Sequence, residues 1–245
     1  MASAPPGASG PQGPQGPSGP RDPRHPAMGS AEMARFIVAN TTVAAPPLTP
    51  QLRVYQATQI TPLWQATEQM LEETGLPPPF WAFPWAGGQA VARLVLDDPG
   101  LVRGRAVLDF GAGNGLIAIA AARMGARRVV AADVDPFAEI AQHLNARLNR
   151  VAIETTRHDL TGNPLREIDV VLAGDVLYER PTARRIVPWL RGLVAAGKTV
   201  LFGDPGRAYL PQDGLEPVAA FSIPTPIELE DREIRETTVW RLLPG

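Results

Sequence analysis

Apolar and polar positions along the chain change period from two to about 3.6 and back, block after block. Ala106-Val107-Leu108-Asp109, Arg128 to Asp133, Ala152 to His158, Ile168 to Ala173 and Thr199-Val200-Leu201-Phe202 have the length and β-branched content of strands. Between them, Leu116 to Met124, Pro136 to Asn149 and Pro181 to Ala195 read as helices. Pro136 falls in a first turn, where its missing N–H costs nothing, and Gly197 closes the last of the three. Ile168 to Ala173 is apolar on nearly every position, as a central parallel strand must be. After Phe202 the alternation stops, and Glu216 to Ile223 and Thr237 to Leu242 read as two strands with no helix between them. The prediction is an α/β fold: a doubly wound sheet of seven strands, mostly parallel, with an antiparallel C-terminal strand pair.

Upstream, Arg35 to Ala45 reads as a short extended or helical lead-in, and Arg53 to Ala57 as a strand. Leu63 to Glu73 has helical spacing and is closed by Gly75 and Pro77-Pro78-Pro79. An aromatic segment from Phe80 to Gly88 follows, then a helix from Gln89 to Leu96. Residues 1–30 are rich in Pro, Gly, Ser and Gln, with glycine at 7, 10, 13, 16 and 19. That period is collagen-like but far too short for a triple helix, so a disordered tail is expected. It has no apolar stretch for secretion, and its prolines oppose an amphipathic transit helix. Met28 or Met33 is an alternative start. The expected organisation is a tail over 1–30 and a single domain over 34–245, with a lead-in over 34–100 and a core over 104–245.

Composition narrows the chemistry. With 44% hydrophobic residues in 245, the chain can bury a sizeable core. A net charge of −2 gives no electrostatic argument for nucleic acid or a membrane surface. Cysteine is absent, which excludes disulfides, thiolate nucleophiles and Cys-ligated metals. His25, His143 and His158 share no metal-ligand spacing, so no metal site is expected. A soluble monomer is the expectation.

The strongest local signal is Asp109-Phe110-Gly111-Ala112-Gly113-Asn114-Gly115, a strand end running into a glycine-rich turn that opens a helix. Glycine lets the backbone pass close to a ligand at a helix N-terminus, the Rossmann-like arrangement. A dinucleotide fingerprint needs its third glycine at 116, which is Leu116; the third glycine stands at 115. No Lys-Ser/Thr follows, so the turn is not a Walker loop. G-x-G-x-G suits a methionine-sulfonium cofactor, with Asp109 placing a carboxylate beside the ligand's amino group. A merely tight turn is the alternative.

The next strand ends at Asp133, where a carboxylate can take both ribose hydroxyls. Asp135 reads instead as a helix cap. Asp159 lies where an adenine amino group could donate to it, Leu160 could pack on the ring, and His158 reads as a rim residue without duty. Asp175 and Tyr178 leave the fourth strand end, beside the reactive crevice of an open parallel sheet. Asp175 could accept an N–H from an incoming amine and Tyr178 could line its pocket; an Asp capping a helix in front of a packed aromatic is the alternative.

Taken together, G-x-G-x-G, Asp133 and above all Asp175-Val176-Leu177-Tyr178 resemble the seven-β-strand S-adenosylmethionine-dependent methyltransferases, in the D-x-x-Y/F subgroup that methylates protein lysines. Pro79 to Gly88 and Gly203 to Leu210 are similar to the branch acting on the electron transfer flavoprotein β subunit. The resemblance spans roughly Ala34 to the C-terminus. It implies S-adenosylmethionine as cofactor, held by Trp85, Asp109, Gly111, Ala112, Gly113, Gly115, Asp133, Asp159, Leu160 and Gly174. It implies Asp175 and Tyr178 as the catalytic pair facing a substrate lysine, with a lesser substrate-facing role for Asp204 or Arg207. The implied location is cytoplasmic in a bacterium and the mitochondrial matrix in a eukaryote. A ribosomal protein or a small-molecule amine is the alternative substrate, and a silent binding module the alternative class.

Overall fold

The computed structural model describes residues 28–57, 78–226 and 233–244. The expected helix at Leu63 to Glu73 and all but the last residues of the expected tail lie outside them. The elements in order are α1 (Ser30–Asn40), β1 (Thr42–Ala44), β2 (Val54–Gln56), a 3-10 turn (Phe80–Ala82), α2 (Ala86–Asp97), β3 (Ala106–Phe110) and α3 (Leu116–Arg123). They continue with β4 (Arg128–Ala132), α4 (Pro136–Leu148), β5 (Glu154–Thr156), β6 (Val170–Gly174), α5 (Arg180–Ala195), β7 (Thr199–Asp204), β8 (Leu215–Pro224) and β9 (Ile234–Leu242).

Seven strands form one sheet in the order β5-β4-β3-β6-β7-β9-β8. The first five are parallel, and β9 runs antiparallel to both β7 and β8. The doubly wound α/β sheet with its antiparallel C-terminal pair is therefore present. From β3 the chain winds outward to β5, then returns to lay β6 on the other side of β3. That reversal opens a crevice beyond the carboxyl ends of β3 and β6, where ligands bind in such sheets.

Strand alternation divides the core. Val107, Val170, Leu172 and Leu201 face α2 and α3, while Leu108, Val171, Ala173, Val200 and Phe202 face α5. A third cluster joins α1 to α4 through Ile37, Trp81, Phe83 and Phe137, with the Trp81 and Phe137 rings stacked at 5.8 Å. The β1–β2 hairpin leans on α4, because Tyr55 N–H donates to the Asn145 side chain at 2.8 Å. Ala57 N–H then bonds the carbonyl of Ala82, which fixes the aromatic segment over the crevice.

Several boundaries shift from those expected, two of them near the crevice. The third strand contracts to three residues, and α2 starts at Ala86, not Gln89. Gly87 and Gly88, expected at the end of the aromatic segment, are here in the first turn of a helix seated against strand ends.

Candidate active site

The crevice floor is the glycine turn. Gly111, Gly113 and Gly115 have φ of 66°, 50° and 79°, left-handed values that a Cβ would strain. A Cβ on Gly111 would also stand 2.8 Å from Val176. Two amides on α4 brace the turn from below: Gln142 donates to the carbonyl of Gly113 at 3.2 Å, and Asn145 to that of Asn114 at 2.9 Å. Ala112 is buried within the same turn.

Gly115 is the N-cap of α3 and has no side chain to cap with. Asp109, reaching from β3, does so instead: its Oδ2 accepts the Ala118 N–H at 2.9 Å. The carboxylate has no exposed surface, so it lies beneath the turn and not on an open wall. Oδ1 has no hydrogen-bond partner among the described residues. Burial pushes the carboxyl up to about 7, against the Ala118 N–H and assisted by the charge of Asp133.

Asp133 sits just past β4. Its Oδ2 accepts the N–H of Gly113 at 2.8 Å and its Oδ1 that of Asp135 at 3.0 Å. Burial raises its pKa, against those N–H donors. Asp135 caps α4 through the Phe137 N–H at 2.8 Å. An unpartnered buried carboxylate oxygen under a glycine turn, with a second carboxylate at the neighbouring strand end, fits a ligand that carries a cationic end and a ribose diol.

Asp159 and Leu160 follow the end of β5, two strands from β3 in the sheet. Asp159 is exposed, accepts the Thr161 N–H at 3.0 Å and pairs with Arg185 at 2.6 Å. Hydrogen bonds from Thr161 and Arg185 hold its carboxyl at about 2. Leu160 is half-buried against the α5 face of the sheet.

Across the crevice, α2 rests on β6 and β7 with backbone touching backbone. Gly174 and Gly203 are register partners, and a Cβ on either would stand within 2.5 Å of the Gly87–Gly88 backbone. The side of Gly174 on which a Cβ would stand is thus filled by the start of α2. Asp175 follows with φ of 57° and is buried. Its Oδ2 accepts the N–H groups of Gly87 at 2.5 Å and Gly88 at 3.3 Å. Its Oδ1 takes Arg207 through Nε at 3.0 Å and Nη2 at 2.5 Å. Burial raises the Asp175 carboxyl, and Arg207 is the strongest opposing influence.

Arg207 belongs to a turn after β7 that Asp204 shapes, its Oδ1 accepting the N–H groups of Gly206 and Arg207, both at 2.7 Å. The guanidinium lies 5.9 Å from the Trp85 ring centre. Trp85 donates its indole N–H to the Phe80 carbonyl at 2.9 Å and meets the Phe80 ring edge-on at 5.8 Å. Tyr178 is 46% exposed, with its ring 5.8 Å from that of Phe80. Burial raises the Tyr178 phenol, as do the charges of Glu179 and Asp133.

Trp85, Asp175 and Tyr178 therefore meet beside the glycine turn and Asp133. The sequence reading had no view of Phe80, of the Gly87 and Gly88 N–H groups, or of Arg207 as the partner of Asp175. The one local signal was Asp204-Pro205-Gly206-Arg207, an acidic residue followed by a turn directly after a strand.

Comparison with known proteins agrees. A family model for ribosomal protein L11 methyltransferase (PrmA) matches residues 94–179, from the end of α2 to the start of α5. The electron transfer flavoprotein β subunit lysine methyltransferase of Xenopus laevis is 36% identical over 215 residues, 85% of this chain and 86% of that protein. The Homo sapiens protein of that name is 34% identical over 220 residues, 87% of this chain and 83% of its own length. A putative RNA methyltransferase from Pyrococcus horikoshii shares the fold, with a TM-score of 0.51 at 16% identity over 77% of this chain and 98% of its own. An L11-type match confined to the cofactor-binding half, set beside relatives that align over nearly the whole chain, identifies this protein as a member of the electron transfer flavoprotein β subunit lysine methyltransferase family, an S-adenosylmethionine-dependent methyltransferase.

Proposed function

We propose that this enzyme methylates a lysine side chain of the electron transfer flavoprotein β subunit, with residues 34–245 acting as one catalytic domain and a monomer as the working unit. The observation that carries the reading is a convergence. Pro79 to Gly88 and Gly203 to Leu210 are far apart in sequence, yet Trp85 and Arg207 meet over Asp175. The two segments most specific to this family thus stand at one mouth. A cytoplasmic setting in a bacterium, or the mitochondrial matrix in a eukaryote, goes with this substrate. Among the described residues no helix is long and apolar enough to cross a membrane.

S-adenosylmethionine supplies, when bound, a methyl group on a positively charged sulfur. The Gly111–Gly115 turn and Asp133 would hold it, with Asp109 giving negative charge beneath. A lysine must arrive without its proton, because an ammonium has no lone pair. Phe80, Trp85 and Tyr178 form an apolar mouth that takes the methylenes and strips water from the amine, which favours the neutral form. Tyr178 would orient the nitrogen through its hydroxyl. Asp175 would fix the wall on which that orientation depends.

The test is incubation of the purified enzyme with the purified flavoprotein and labelled S-adenosylmethionine. Label on lysine of the β subunit is expected. Label that appears only on ribosomal protein L11, offered in parallel, would replace this substrate with the alternative that the L11-type match favours.

A further inference from the structure

The carboxylate of Asp175 has no lone pair facing an open mouth. Oδ2 is taken by two N–H groups of the first turn of α2, and Oδ1 by two N–H groups of one guanidinium. Its left-handed backbone is held by the Gly203 carbonyl, which accepts the Asp175 N–H at 3.0 Å. A group so enclosed acts on substrate through what it holds.

It holds two things. One is the start of α2, where glycine backbones replace side chains and Trp85 is the residue before the first turn. The other is Arg207, whose planar fork engages Oδ1 while the guanidinium lies 5.9 Å from the Trp85 ring centre. Arg207 is itself aimed by Asp204, which ties down the turn after β7. Two strand ends and the first turn of α2 are thereby locked together at the edge of the mouth.

We propose that Arg207 is a positioning residue for methyl transfer: through Asp175 and Trp85 it fixes the wall of the mouth against which the substrate side chain is aligned. This rests on the reading that Trp85 and Tyr178 line the lysine channel. A displacement of about 1 Å in such a wall is enough to cost on the order of a hundred-fold in rate. Arg207 also opposes the burial that raises the Asp175 carboxyl, so its loss lets that carboxyl keep its proton to higher pH.

The experiment compares Arg207→Met and Arg207→Lys with the wild type. Steady-state turnover on the flavoprotein β subunit is measured across pH, together with S-adenosylmethionine affinity by calorimetry. For Arg207→Met, kcat falls by about ten-fold or more, while cofactor affinity moves far less. The acidic side of its rate–pH profile moves to higher pH, because Asp175 holds its proton longer without the guanidinium. Arg207→Lys keeps the charge without the fork, and its kcat lies between the two. If Arg207→Met does not fold, Arg207→Lys alone decides. Wild-type kcat with a superimposable pH profile in either variant overturns the proposal. A further readout needs no substrate: the fluorescence of Trp85, isolated by difference against Trp85→Phe, shifts in Arg207→Met. Wild-type enzyme silent on the β subunit, with that shift present, defeats the substrate assignment and leaves the positioning role standing.

Discussion

The carboxylate of Asp133 holds the backbone N–H of Gly113 at 2.8 Å, so the end of β4 and the turn after β3 form one ligand cradle. In the cofactor complex one oxygen can turn to the ribose hydroxyls while the other keeps the turn. Asp133→Ala removes both contacts. Calorimetric affinity for S-adenosylmethionine should fall by roughly 1–3 kcal/mol. Unchanged affinity would remove Asp133 from the cradle.

The seat of α2 sets two adjacent glycines apart. A Cβ on Gly87 would meet the Gly203 carbonyl at 2.3 Å and Asp175 Oδ2 at 2.5 Å, whereas one on Gly88 meets nothing within 4 Å. Gly87→Ala should destabilise by roughly 2–3 kcal/mol, because backbone cannot yield as a side chain can. Gly88→Ala should stay within about 0.5 kcal/mol of the parent. Thermal melts of the pair decide it, and equal melting points would contradict the close approach.

Asp175→Ala leaves Arg207 without its buried partner and Gly87 without an acceptor. The expected loss of stability is about 3–5 kcal/mol. Asp175→Asn should melt higher than Asp175→Ala, since asparagine tolerates the left-handed backbone found there. Both should lose methyl transfer while binding S-adenosylmethionine nearly as the wild type does. A fully active Asp175→Ala would end the role of this residue.

Asp109 makes cofactor binding depend on pH. Its folded-state pKa is raised from 3.8 to about 7 by burial. Its contribution to stability is therefore complete below 3.8 and is lost as pH rises through about 7. A ligand with a cationic end favours the ionised carboxyl. Affinity for S-adenosylmethionine should accordingly rise between about pH 6 and pH 7.5, with protons released on binding. Asp109→Asn should flatten much of that slope. Asp133, also raised by burial and placed to accept the ribose hydroxyls, adds to the slope with the same sign. Calorimetry in buffers of different ionisation enthalpy measures the proton release, and none at neutral pH would contradict the assignment.

The strands and the glycine turn were legible because their signals are local. Runs such as Val170 to Ala173 declare burial within a few residues, and the G-x-G-x-G spacing lies in one turn. The roles of Asp109 and Asp175 were harder. Asp109 was expected beside the ligand and is found capping α3 through Ala118, a partnership nine residues long that only the folded turn creates. Asp175 was expected to face an amine, yet Gly87 and Arg207 already occupy it, 88 and 32 residues away. Asp159, expected at an adenine, also pairs with Arg185 on a helix later in the chain. No periodicity encodes such long-range polar pairings. The need for glycine at 87 is equally non-local: the atoms that leave no room for a side chain there belong to Gly203 and Asp175.

The most direct measurement is mass-spectrometric location of the methyl groups that the enzyme transfers from labelled S-adenosylmethionine in a host lysate. Label is expected on lysine of the electron transfer flavoprotein β subunit, absent when Asp175→Ala replaces the wild type. Label on ribosomal protein L11 or on a small amine, with an unmodified β subunit, would contradict it.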